Sequence, residues 1–273
     1  MAVHKQRSMV PWMFIRLTAV VLAALLVGAS MLYAYARHQQ LELSYSANMD
    51  LLQQASHTLD SMLESVAQNA LLLAQNQNLS QLLHFEENSA AAHLSVRDQM
   101  EALRNTMPIV DSIYLIRYAN RRVLASGSRW GTGYFEVGEF ADPLVLESSR
   151  GDQRTGWLLP RSFSDAQPLQ YLSYCLDLPI ESSFKEGKLA INLRTDALRR
   201  LFTKATGPLS GLVQIVSDAG DPVLGALEEK GASALLQALK QPDAKGRLAV
   251  RGAAEDYYLF YARSGYLDWV YFV

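Results

Sequence analysis

The sequence predicts an α+β protein: a membrane-length apolar helix, a long amphipathic helix, then two antiparallel-sheet modules of unequal size. Three observations carry this expectation. Leu17 to Ala36 runs without a charge. Residues 39–83 hold neither proline nor glycine and repeat apolar side chains at helical spacing. Beyond Pro108, short apolar runs alternate with turns rich in Gly, Asn and Asp.

Composition fits a folded chain. The protein has 273 residues, 49% of them hydrophobic, and a net charge of -2. Lys5, Arg7, Arg16 and Arg37 all precede the first acidic residue, Glu42, so the remainder is mildly acidic. That argues against nucleic acid as a partner of the folded region. The single cysteine, Cys175, excludes an intrachain disulfide.

The apolar run "LTAVVLAALLVGASMLYAYA" has the length of a transmembrane helix. Lys5, Arg7 and Arg16 flank its start, which predicts a cytoplasmic N-terminus of residues 1–16 and an extracytoplasmic remainder. Trp12, Tyr33 and Tyr35 suit the two interfaces. Ala34-Tyr35-Ala36 also forms an A-x-A signal-peptidase site. The run is longer than the roughly 7–15 residues of a signal peptide's apolar core, and helix continues past Ala36, so an uncleaved anchor is expected.

Helical signal continues through a region expected over 37–108. Leu52, Leu59, Val66 and Leu73 are spaced by sevens, with Ala55, Met62 and Ala70 interleaved. The stripe reads mainly as packing on the protein's own sheet. The same spacing permits a parallel coiled coil, so dimer contact over part of it, and a homodimer, stay open. Asn76, Asn78 and Ser80 mark a break, "SQLLHF" resumes as a helical turn, and Ala90 to Thr106 is a second helix closed by Pro108.

Strand signals follow in two sets, expected at 109–206 and 207–273. "VDSIYLIRY" is apolar on both faces, as in a central strand. "ANRR" is a turn and "VLASGS" the returning strand. Phe140 to Ser148 reads as a short helix, "TGWLLPRSF", "LQYLSYCLDLP" and "GKLAINL" as strands, and "RTDALRRLF" as a helix with Thr195 as N-cap. Past "TGPLS", "GLVQIVS" and "DPVLGA" flank the turn "DAGD"; "GASALLQALK" is a helix, and "GRLAVRG", "DYYLFYARS" and "LDWVYFV" are strands.

The element order, with "IVDSIYLIRYANRRVLASGS", "LSYCLDLPIESSFKEGKLAINLRTDALRRLF" and "VQIVSDAGDPVLGA", resembles the double Cache (dCache) extracellular sensor region, built of two PAS-like modules. It is most similar to those of membrane-anchored AraC-type transcriptional regulators and related sensor histidine kinases of Gram-positive bacteria. The resemblance implies a ligand pocket in the membrane-distal module and a signal passed along the helices to a cytoplasmic output. It also implies that the reading frame continues past Val273 into a second span and that output. Without such a continuation, an anchored solute-binding or adhesion protein is the alternative.

No catalytic constellation accompanies these elements, so no enzyme activity is expected. All five histidines, His4, His38, His57, His84 and His93, precede the strand-rich region. There is no G-x-S-x-G, H-E-x-x-H or P-loop. Asp218 and Asp221 fit a hairpin turn better than a metal site. Neither metal nor cofactor is expected.

The ligand-site candidates lie between Ser126 and Asp177. Arg129 offers a fixed charge and five donors, suited to a carboxylate or a sugar pocket. Trp130, Tyr134 and Trp157 offer stacking faces with polar tips, and Tyr171, Tyr174 and Asp177 lie on a strand able to face them. For each aromatic, core packing is the competing explanation. Amino-acid-binding Cache domains carry an Arg-x-Trp-Tyr type signature. Here Arg129 and Trp130 are adjacent and Gly131 follows, so amino-acid specificity is not supported. The expected partner is a small molecule, a sugar or other nutrient among the candidates.

Overall fold

The computed structural model describes residues 9–84, 90–129, 131–140, 142–148, 155–162, 170–207, 213–225, 235–241, 243–250 and 257–273. The chain divides into two compact units, Met1–Asn48 and Met49–Val273.

The first unit consists of the beginning of helix α1 (Met9–Ala74). It is the one described helix long and apolar enough to cross a membrane. Its apolar side chains are exposed, among them Phe14, Leu25 and Leu32.

In the second unit the helical stripe is internal. Leu52, Leu59, Val66 and Leu73 are all buried, with Leu52 and Val66 fully so. They pack within the protomer's own core. The break at Asn76 is a capping arrangement: Asn76 Oδ1 accepts the Asn78 N–H at 2.7 Å and starts α2 (Gln77–His84). Helix α3 (Ala90–Thr106) follows.

Six strands then form an antiparallel sheet: β1 (Val110–Arg117), β2 (Arg122–Gly127), β3 (Gly131–Glu136), β4 (Gly156–Ser162), β5 (Gln170–Leu178) and β6 (Gly187–Arg194), in the order β3-β2-β1-β6-β5-β4. Between β3 and β4 lie a 3-10 turn (Val137–Glu139) and helix α4 (Pro143–Ser148). β1 is central and buried along its whole length, as its two apolar faces require. Strand β3 was not expected from sequence. Gly131 and Gly133 suppress its strand signal, and it is held by pairing with β2 at the sheet's edge.

Helix α5 (Thr195–Thr206) closes this module. Thr195 is its first helical residue rather than the N-cap. Arg194 occupies the cap position, and the Thr195 hydroxyl donates to the Gln170 carbonyl at 3.0 Å. Asp196 supplies the negative charge of the first turn.

The second sheet has five antiparallel strands: β7 (Gln214–Ser217), β8 (Pro222–Leu224), β9 (Lys245–Val250), β10 (Tyr257–Arg263) and β11 (Trp269–Phe272), in the order β8-β7-β11-β10-β9. Residues 235–239 are helical; the rest of "GASALLQALK" before them lies outside the described residues. The aromatic strand β11 is the middle strand and is buried throughout, which accounts for its composition. Asp218 and Asp221 lie at the β7–β8 turn as expected, and Asp218 pairs with Arg263 at 2.9 Å.

Candidate functional site

Side chains alternate along a strand, so the six-stranded sheet has two chemically distinct faces. One carries Ile113, Leu115, Leu124, Leu189 and Ile191, all buried, and faces the helices: a Cβ on Gly187 would meet Leu83 of α2 at 2.8 Å. The other, outer face carries polar side chains at alternate positions of the central strands: Ser112 on β1, Ser173 on β5 and Asn192 on β6.

These three belong to one buried network organised by Arg161. A register irregularity in β4 between Leu158 and Arg161 sets Arg161 opposite Tyr171. Its Nε and Nη2 donate to the two carboxylate oxygens of Asp142, each at 2.9 Å. Nη2 also donates to Asn192 Oδ1 at 2.9 Å, and Nη1 donates to the Ser173 hydroxyl. Ser173 donates to Asn192 Oδ1 at 2.6 Å, Asn192 Nδ2 donates to Ser112 Oγ at 3.0 Å, and Ser112 donates to the Tyr114 hydroxyl at 3.2 Å. Asp142, Ser173 and Asn192 are inaccessible to solvent. Asp142 is held there because it also caps α4, accepting the Leu144 N–H at 2.9 Å, with Pro143 at the first helical position. Burial, and next the Asp142 carboxylate, push the Tyr114 phenol well above its ordinary range, so it stays a neutral hydroxyl.

Beside this network, at the start of β1, lies Asp111, displaced by a register shift between Val110 and Ser112. Its Oδ1 accepts the Ser128 hydroxyl at 2.6 Å, and its carbonyl accepts the Ser128 N–H at 3.3 Å. Gly127 makes this close approach possible: any Cβ there would stand 2.6 Å from Ser112 Cβ. Tyr171 faces the same end. Its phenol is raised by burial and then by Asp111, with Arg194 and Arg129 acting the other way. Arg194 is bidentate to Asp196, at 2.9 and 2.7 Å.

At the opposite end of the face, Lys188 and Asp177 form a second buried ion pair, at 3.3 Å. Thr155 donates to Asp177 Oδ2 at 3.0 Å. Cys175 lies between the two ion pairs on the same face. Burial pushes its thiol up to about 12; Arg161 and Lys188 act against this rise, and Asp142 and Asp177 add to it.

The sequence-derived candidates therefore separate. Arg129 and Tyr171 come together with Asp111. Asp177 shares their face but is committed to Lys188. Tyr134 is on the helix-facing side, where its hydroxyl bonds His93 Nδ1 of α3, with the rings 4.8 Å apart. Burial pushes its phenol up to about 12. Trp157 and Tyr174 also point away from the outer face. They pack on each other at 5.2 Å, and Trp157 packs on Trp269 of β11 at 6.3 Å, making them a joint between the two sheets. Trp130 lies outside the described residues. Sequence reasoning passed over Asp111, Ser112, Asp142, Arg161, Ser173, Lys188 and Asn192. The available signal was polar residues interrupting otherwise apolar strands in "VDSIYLIR", "YLSYCLDL" and "GKLAINL".

An open cleft of about 290 Å³ between α1 and α5 is lined mainly by apolar side chains, among them Ala55, Leu59, Met62 and Phe202, with Thr58 and Lys204 beside them. No group of histidine, cysteine and carboxylate side chains among the described residues suits a metal ion.

No protein-family model matches the chain, and no curated protein matches it. Solved structures share its fold. The ligand-binding domain of the Campylobacter jejuni chemoreceptor Tlp3, solved with L-norvaline, aligns with a TM-score of 0.58 at 12% identity, over 85% of this chain and 90% of that one. The extracellular domain of the putative histidine kinase soHK1S-Z6 aligns at 0.58 and 15% identity, over 86% and 96%. A domain of a putative sensory box/GGDEF protein of Vibrio parahaemolyticus aligns at 0.58 and 10% identity, over 84% and 94%. At such identities the likeness is one of fold. The fold is that of Cache-type sensory ligand-binding domains.

Proposed function

We propose that this chain is the extracytoplasmic sensory part of a transmembrane signalling protein, binding a small molecule on the outer face of its six-stranded sheet. The observation that carries the reading is the buried polar network around Arg161. A sheet needs only apolar packing on that face, and burying this many polar groups costs free energy unless each is bonded. The two buried ion pairs are weak evidence for stability, since apolar residues of similar volume often serve a core as well. Their retention in a sensory fold supports a recognition surface. Fold neighbours solved with L-norvaline, isoleucine and L-valine support a small-molecule ligand.

In this reading α1 anchors the protein, its N-terminus is cytoplasmic and the sheets are outside, as the flanking Lys5, Arg7 and Arg16 favour. The protein acts as a homodimer, and its ligand is a sugar or other nutrient. Occupancy shifts α1 between two positions, which requires the ligand to bind the two states differently. The output is an AraC-type DNA-binding domain, supported by the resemblance in strand phrasing. A histidine kinase output is the second reading, favoured by the two kinase ectodomains among the fold neighbours. The chain itself carries out no catalysis.

Thermal-shift screening of the purified protein against sugars, amino acids and organic acids tests the reading. A sensor is stabilised by its ligand as RT ln(1 + [L]/Kd), about 2.7 kcal/mol at a hundredfold excess over Kd. Stabilisation by none of these classes would favour an adhesion module, and hydrolase or transferase activity in the purified chain would overturn the reading altogether. The sequence of the gene downstream of Val273 separates the two outputs.

A further inference from the structure

On the outer face, Asp111 keeps one carboxylate oxygen unused. The residue is 7% exposed, its Oδ1 is bonded to Ser128, and its Oδ2 has no hydrogen-bond partner among the described residues. Leaving a buried acceptor unbonded costs free energy, and more when it is charged. Nothing in the sheet calls for that cost. Asp111 sits at a register shift in β1, and its bond to Ser128 uses Oδ1 and leaves Oδ2 unaccounted for. An unbonded carboxylate oxygen next to a connected network of donors and acceptors is the arrangement expected where one more donor is to be received.

Charge decides which kind of donor. Arg129 follows Ser128 directly, and Arg194 pairs in register with Tyr171, so guanidinium groups border the carboxylate on two elements. Arg194 is shared with Asp196, and Arg161 in the adjoining network is bidentate to Asp142. Among the described residues, cations and carboxylates are thus matched in number across this end of the face. In a low-dielectric setting a newcomer with net charge would break that balance, whereas a neutral donor leaves it intact.

We infer that Asp111 is a ligand-contact residue and that the ligand is a neutral, polyhydroxylated molecule of the sugar class, donating one hydroxyl to Asp111 Oδ2. This deepens the sensor reading and rests on it. Ser112, the next residue, is bonded to Asn192 and Tyr114, which places Asp111 at the edge of the polar network.

The test is calorimetric titration of the full chain, in detergent, with a panel of neutral mono- and disaccharides. Ethanolamine stands for amines, L-norvaline for amino acids and citrate for anions. The expected result is binding by at least one neutral sugar, weakened at least about tenfold by Asp111→Asn, which replaces the accepting Oδ2 with a donor. Unliganded melting temperature monitors the fold of the variant. If D111N does not fold, the monodeoxy analogues of the bound sugar are titrated against the unaltered protein, and one of them must lose at least about tenfold. Binding of ethanolamine, norvaline or citrate with no sugar binding would overturn this inference and leave the sensor reading standing. A sugar bound equally by D111N would also overturn it. Failure of every member of the panel to bind would count against both.

Discussion

Arg161 brings a guanidinium to a carboxylate that is wholly buried, and the pair is worth far more together than either member alone. Arg161→Ala strands Asp142 and is expected to lower the unfolding free energy by about 3–5 kcal/mol, whereas R161M combined with D142N should cost clearly less than the sum of the single changes. Urea titrations at unchanged m-value check this. Cys175 makes a second residue-level prediction. Burial first of all raises its thiol to about 12, so the folded protein favours the neutral form. The sign follows: its stabilising contribution is whole below the ordinary thiol range near 9 and is lost as pH rises toward 12. Tyr134, raised to about 12 by burial, loses its contribution across the upper part of the same window, above the ordinary phenol value near 10. Thermal melts from pH 8 to 11.5 should therefore fall progressively. At pH 8 the thiolate fraction is on the order of one in 10⁴, so a thiol reagent should label Cys175 no faster than the protein unfolds.

At the scale of elements, Asp60 ties helix α1 to the five-stranded sheet. Its carboxylate accepts the Ser264 hydroxyl at 2.7 Å, the Gly265 N–H at 2.8 Å and the Tyr271 hydroxyl, residues more than two hundred positions away. Ser264 in turn accepts the N–H groups of Tyr266 and Leu267, which shapes the β10–β11 turn. Asp60→Ala leaves three donors without their acceptor, the buried Tyr271 hydroxyl among them, and is expected to destabilise by about 2 kcal/mol. Amide exchange at Gly265 should quicken by more than at the β1–β6 ladder. An equal change at both would mean global unfolding rather than a local tie. The helical stripe makes a contrasting prediction. Leu59→Cys, at a buried position, should not crosslink two protomers, whereas His57→Cys or Ser61→Cys, on the exposed side of α1, can do so if the helices pair. Disulfide formation through Leu59→Cys in an otherwise folded protein would sink the assignment of the stripe to the protomer's own core.

For the whole molecule, the charge asymmetry around Leu17–Ala36 predicts that a reporter fused ahead of Met1 stays cytoplasmic, and that residues of the sheets are cleaved by protease added outside intact cells. Protection of the sheets would reverse the orientation. The α+β class, the membrane-length helix, the span of α3 and ten of the eleven strands were legible because each is a local pattern: period 3.6 or 2, bounded by Gly, Pro, Asn or Asp. Strand β3 was not, since its glycines erase the pattern and only pairing with β2 holds it extended. The candidate site was legible in part. Arg129 and Tyr171 stood out by residue type, but aromatic character alone could not tell Tyr171, on the outer face, from Tyr174, which points to the other side. The network of Ser112, Asp142, Arg161, Ser173 and Asn192 joins residues up to 80 positions apart, and Arg161 reaches it only because of a register irregularity in β4. By itself the sequence determined most of the helices and strands and the membrane-length apolar run, because those depend on neighbours along the chain. Only the tertiary structure decided which face each strand shows, which charges meet, and that Asp111 keeps an oxygen to spare. Those depend on strand register, and a one-residue slip in register exchanges the two faces.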